Sequence, residues 1–258
     1  MKKSMLAIAA LSAAVGVQAE IVSPNVVGYT TQGITGGKLN CVALQFSNVG
    51  GSGDMASIST LTTSGLTAGS FDTMTTDAPE IMFYNGVGYD HYYYITDAYD
   101  SEGKEVTAWA DSNGDATDVS KALGTGFWLR IPEGTCTTGS LTEAGQVSAA
   151  ASTTIDIAAG LTLACNPYPA AMDFSKITTA GLTAGAFDTM TTDAPEIMIY
   201  NGVGYDHYYY ITDAYDSEGK EVTAWADSNG DASTGAVAGS GQAFWAKSSS
   251  AGTLTFSL

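Results

Sequence analysis

Positive charge is what this sequence has least of. Against 27 Asp and Glu stand 9 Lys and Arg, a formal net charge of −18. A chain so poor in cations has no basic face for nucleic acid, and anionic membrane surfaces are disfavoured for the same reason. Histidine is scarcer still. His91 and His207 are the whole supply, each inside the same Tyr-Asp-His-Tyr-Tyr-Tyr context. One histidine per context makes a poor zinc site, since zinc draws three or four converging ligands. Asp90 cannot orient the His91 ring as a catalytic triad requires, because adjacent residues of a strand point to opposite faces. Neither a Gly-x-Ser-x-Gly elbow, a His-Glu-x-x-His helix nor a phosphate-cradling loop is present. The expectation is a protein that is not an enzyme.

Cysteine is also in short supply. Cys41, Cys136 and Cys165 are an odd set, so there is no disulfide framework. Cys41 (Leu39-Asn40-Cys41) and Cys165 (Leu163-Ala164-Cys165) read as buried thiols in matching places. A bridge between them would need Cα atoms within about 7 Å, which equivalent positions in separate domains rarely achieve. Cys136, in the turn-like Glu133 to Thr137, is the more exposed thiol and the one available to another chain.

Long apolar runs are missing too. The one candidate, Met5 to Val17, falls short of the roughly 20 residues that span a bilayer, so no integral membrane helix is expected. Preceded by Lys2 and Lys3 and closed by Val17-Gln18-Ala19, it has the build of a signal peptide covering residues 1–19. No cysteine near that cut could carry a lipid. The mature chain is therefore expected outside the cytoplasm, secreted, extracellular or in the cell envelope.

What the chain does contain is a copy of itself. Gly65 to Ala116 recurs as Gly181 to Ala232 with only Ser70→Ala186 and Phe83→Ile199 changed. A period of more than a hundred residues means duplicated domains, because solenoid and propeller units are far shorter. The expected division is 20–145 for the first copy and 146–258 for the second, joined by the short, small-residued Gly145 to Ala150. Each copy is large enough to bury its own core.

Within a copy, runs of aromatic and β-branched residues are cut by Asn-Gly and Glu-Gly turns. Glu80 to Tyr84, Tyr89 to Thr96 and Glu105 to Ala110 read as an antiparallel meander. Lys38 to Phe46 precedes it, with Leu39, Cys41 and Ala43 on one face. An aromatic strand closes each copy, Gly124 to Leu129 and Gly241 to Ala246. Phe127 and Leu129 should point inward, with Trp128 and Arg130 outward or at the domain contact. Helical periodicity is hard to find, and Ser57 to Thr76 reads as irregular with at most a helical turn. The expected fold is all-β: two tandem antiparallel β-sandwich or small-barrel domains.

The order of a strand like Leu39-Asn40-Cys41-Val42-Ala43, a tyrosine-rich hairpin and Gly-x-Gly-Phe-Trp is similar to β-modules of bacterial secreted and surface proteins. The second copy departs from it, with Ala243 before Phe244-Trp245. The resemblance implies a β-fold and a cell-surface setting, and carries over no catalytic or binding residues.

Two surfaces suggest chemistry. Strand alternation groups Tyr92 and Tyr94 on one face, expected exposed, beside Trp109, and their copies are Tyr208, Tyr210 and Trp225. Such a patch could hold sugar rings, although tyrosine also stabilises sheets with no ligand. The second is carboxylate-rich. Each copy of the repeated block holds ten Asp and Glu against the single Lys104 or Lys220. Asp111, Asn113 and Asp115, with Asp97 and Asp100, place oxygens that calcium favours, as do Asp213, Asp216, Asp227, Asn229 and Asp231 in the second copy. An EF-hand is excluded, because Ala116 and Ala122 stand where its glycine and bidentate glutamate belong. Turn bracing by Asp and Asn side chains explains the same letters and is preferred. The function these features suggest is structural or adhesive, with a glycan, a surface protein or another copy of the chain as partner. The alternatives are a calcium-dependent carbohydrate-binding module and an outer-membrane barrel. The barrel is suggested by Leu254, Phe256 and Leu258 but lacks the expected run of long alternating strands.

Overall fold

A computed structural model describes residues 27–50, 55–137 and 139–258. The signal-peptide segment lies outside the described residues. The first half runs β1 (Val27–Gly33), β2 (Lys38–Ala43), β3 (Met55–Ser57), β4 (Leu61–Thr62), α1 (Met74–Asp77), β5 (Glu80–Tyr84), β6 (Tyr89–Tyr99), β7 (Glu105–Ala110), β8 (Ser120–Ala122), β9 (Gly126–Ile131) and β10 (Ser140–Gln146). The second half repeats it. It runs β11 (Ser152–Ile157), β12 (Gly160–Cys165), β13 (Met172–Asp173), β14 (Ile177–Ala180), α2 (Met190–Asp193), β15 (Glu196–Tyr200), β16 (Tyr205–Tyr215), β17 (Glu221–Ala226), β18 (Ala236–Ala238), β19 (Ala243–Ser248) and β20 (Gly252–Ser257).

The chain is all-β, and the two halves carry the same sheets. A five-stranded sheet has the order β2-β9-β5-β6-β7 in one half and β12-β19-β15-β16-β17 in the other. Three-stranded sheets β1-β10-β4 and β11-β20-β14 lie beside them, with two-stranded ribbons β3-β8 and β13-β18. Strand pairing is antiparallel throughout these sheets. Each is an open sheet with two edges, so the barrel alternative finds no closed ring among the described residues.

Turn chemistry sets the registers. Between β5 and β6, Gly86 takes φ +98, a left-handed value that a side chain would strain. Asn85 braces this turn by accepting from the amides of Val87 at 3.2 Å and Gly88 at 2.9 Å. Strand β6 continues past the expected Thr96 to Tyr99, with a bulge between Ile95 and Ala98. The segment expected to be irregular, Ser57 to Thr76, holds β4 and several helical turns. The longest of these, α1, has 4 residues, too few to bury a helical face.

Apolar packing follows on both faces of each five-stranded sheet. One face of the first five-stranded sheet, including Ile81, Phe83, Phe127 and Leu129, packs on Ile58, Leu61 and Leu141. The second half builds the same core around Ile197, Phe244, Phe174 and Phe256. The opposite faces of the two sheets then meet each other. Cys41, Ala43 and Trp128 of one pack with Leu163, Cys165, Ala243 and Trp245 of the other. To the two expected cores the structure adds one shared by both halves and a smaller cluster in each half.

Strand register also corrects the cysteine alignment. Cys41 lies opposite Trp128, and Leu163 lies opposite the matching Trp245. The structural equivalent of Cys41 is thus Leu163, and that of Cys165 is Ala43. Both thiols are buried. Loss of solvent pushes Cys41 up to about 12 and raises Cys165 well above the usual thiol value.

Candidate functional site

The site grows out of how the two sheets join. Backbone amides cross the junction in a matched pair: Ala43 donates to the Gly241 carbonyl at 2.9 Å, and its equivalent Cys165 donates to the Gly124 carbonyl at 2.8 Å. Val42 bridges to Gln242, and Ala164 bridges to Thr125 in the same sense. Each half thus presents the same patch to the other, the arrangement of a two-fold symmetric dimer written into one chain.

One position breaks that symmetry, and for a steric reason. A Cβ on Gly126 would sit 2.7 Å from the Cβ of Ala243, its own equivalent across the axis. There is room for one methyl on the axis and not for two. The alanine that departs from the Gly-x-Gly-Phe-Trp pattern in the second copy fills the space that Gly126 leaves.

Where the sheets part, their facing aromatics line a cleft of about 320 Å³, formed by Leu39, Met82, Tyr89, Trp128, Tyr200, Tyr205 and Trp245. Its rings cross the junction in matched pairs. Tyr84 meets Trp245 at 5.1 Å and 81°, and Trp128 meets Tyr200 at 5.7 Å and 76°. On each side a second tyrosine continues the wall, Tyr89 against Tyr84 and Tyr205 against Tyr200, both at 5.6 Å. Burial raises the Tyr89 and Tyr205 hydroxyls above the usual tyrosine pKa, opposed by hydrogen bonds with Trp128 and Trp245 respectively. Tyr84 and Tyr200 donate to the carbonyls of Gly86 and Gly202 at 2.8 and 2.9 Å.

Beyond Tyr89, each sheet carries a buried carboxylate. Glu80 Oε1 lies 2.6 Å from His91 Nδ1, and Glu80 Oε2 accepts from Arg130 Nε at 2.5 Å. In the second half Glu196 meets His207 Nδ1 at 2.5 Å and Lys247 at 3.5 Å. The partner of each histidine therefore sits across the strand pair β5-β6 or β15-β16, as Met82 opposite His91 and Glu80 opposite Tyr93 dictate. Sequence reasoning tested only the neighbouring aspartate. Asp90 instead accepts from the Asn85 side chain at 2.8 Å.

The aromatic residues singled out from the sequence lie elsewhere. Trp109 and Trp225 are 6% and 4% exposed and sit in the two separate cores. Tyr92, Tyr94, Tyr208 and Tyr210 are half-buried against those cores rather than exposed. The inversion has a physical cause: both faces of the sheet are covered. Tyr93 and Ile95 are buried under the 69–78 segment, where Gly69 pairs with Ile95, while Tyr89 of the same face emerges at the cleft with 37% exposure. In the second half Tyr210 and Trp225 still edge a groove of about 460 Å³ with Phe174 and Asp216.

The carboxylates are spent on turns. Asp100 accepts from the amides of Glu102 and Lys104, both at 2.9 Å. Asp111 accepts from those of Asn113 at 2.8 Å and Asp115 at 3.1 Å. Asp216 and Asp227 repeat both patterns, the latter with Asn229 and Asp231. Asp97 and Asp213 each accept the amide of a phenylalanine, Phe71 or Phe187, at 2.8 Å. Among the described residues no three His, Cys, Asp or Glu side chains converge as a metal group would require. Cys136 is half-buried against the first core.

The fold and this junction define an all-β chain of two like halves that share an aromatic cleft on their axis. Comparison with protein-family models, curated proteins and solved structures finds no match to the chain.

Proposed function

We propose that this chain is an exported, non-catalytic binding protein of the cell surface, structural or adhesive in role, and that the axial aromatic cleft is its contact surface. The observation that carries this is the convergence of matching tyrosine and tryptophan rings from both copies on one solvent-open cleft. Aromatic side chains with one apolar face and one polar tip are the residues most enriched where proteins make contact. Non-catalytic use fits the surroundings: both histidines are held by a buried glutamate that Arg130 or Lys247 also engages. Export fits the leader-like segment and the acidic, surface-module pattern of the sequence.

The test uses mature protein carrying Tyr89→Leu and Tyr205→Leu beside wild type. Retention on whole cells, isolated surface material and a glycan panel is measured with calcium and with chelator. Wild type should be retained and the double variant released, with no effect of chelator. Equal retention of both, or of neither, contradicts the proposal, and release by chelator favours the calcium-dependent alternative.

A further inference from the structure

The cleft has aromatic walls, and the Tyr200 hydroxyl among them is already committed. Tyr84 and Tyr200, which flank the cleft, donate to glycine carbonyls. A saccharide needs several fixed donors and acceptors as well as a ring to stack on. This lining is five aromatic rings, Tyr89, Trp128, Tyr200, Tyr205 and Trp245, with Leu39 and Met82. The ligand group suited to such a box is a cation whose charge needs no directional hydrogen bond. Alkylammonium heads are held in this way by aromatic cages, through attraction of the positive charge to the negative ring faces.

Charge points the same way. The chain carries −18 in total, and a field of that sign concentrates cations in low-dielectric clefts. Two residues along β9 and β19 from Trp128 and Trp245, the cations Arg130 and Lys247 are paired with Glu80 and Glu196. We propose that the axial cleft is an aromatic cage for a quaternary or alkylated ammonium group, with Tyr89, Tyr205, Trp128 and Trp245 as its walls. This rests on the cleft being the contact surface and adds the chemistry of what it contacts.

Choline is the probe, and 3,3-dimethyl-1-butanol, with the same shape and no charge, is its control. Calorimetric titration of the full chain should show choline binding at least about tenfold tighter than the neutral isostere, equivalent to about 1.4 kcal/mol. Tyr89→Leu should weaken choline at least tenfold. Tyr89→Phe, which keeps the ring, should retain it, and this pair separates loss of the cage wall from loss of the fold. Tyr29→Leu, at a 74% exposed position on β1, should change nothing. Equal binding of the isostere, binding of cellobiose in place of choline, or no response to choline overturns the inference. If choline is silent while surface retention still depends on Tyr89, the cage falls and the contact surface stands. If retention is also indifferent to Tyr89, both fall.

Discussion

Glu143 is a buried carboxylate with no ion pair among the described residues. It accepts from the amides of Gln45 at 2.9 Å and Phe46 at 3.0 Å, with Thr60 at 3.4 Å. Burial outweighs these bonds and pushes it up to about 8 from an ordinary 4.5. The folded chain therefore binds this proton more tightly than the unfolded chain. Its contribution to stability is complete below about 4.5 and is lost as pH rises toward 8, an effect on the order of a few kcal/mol. Gln45 in turn donates from its side chain to the carbonyls of Asn166 and Tyr168 in the other half, which places this carboxylate beside the joint. Melting temperature should fall between pH 5 and pH 8.5 in wild type, and Glu143→Gln should flatten much of that fall. An unchanged slope in the variant contradicts the assignment. Residue alternation made Phe127, Leu129 and Trp128 legible from the sequence. It could not reveal Glu143, whose carboxylate is met by the Gln45 amide 98 positions away.

Among elements, β9 and β19 make the most specific demand, since one methyl fits between them and two do not. Gly126→Ala alone should destabilise the chain by about 1 to 3 kcal/mol, the usual cost of overpacking. Adding Ala243→Gly should recover part of it, a coupling of at least about 0.5 kcal/mol in a denaturant double-mutant cycle. Strict additivity would show that the two positions do not meet. The acidic turns are elements of another kind. Asp111→Ala removes three side-chain acceptances, two from amides and one from the Asn113 side chain, and should cost about 1 to 2 kcal/mol, by the same amount with calcium as with chelator. A calcium-dependent loss would restore the metal reading. Hairpin boundaries were legible to the residue at β5 and β7, because glycine and asparagine turns announce them. The extension of β6 to Tyr99 was not, because its bulge answers to the 69–78 segment folding over the sheet.

At the scale of the whole molecule, duplication was plain in the sequence and its consequence was not. Two copies suggested two equal surfaces, one on each domain, able to grip a repeated ligand. The structure turns the sheets toward each other, so residues expected on two faces meet at one axis. Tyr92 and Trp109 read as a platform because alternation names the two faces of a strand without saying what covers either. Tyr89 and Trp128 lie on the face that became a junction, and only the contact between halves makes them a site. The central claim is therefore a single shared cleft. Retention on cell-surface material, measured for Tyr89→Leu, Tyr205→Leu and the double variant, tests it directly. A shared cleft predicts that either single substitution lowers retention as far as both together. Two independent sites would make each single loss partial and the double loss far greater, and that result would contradict the account.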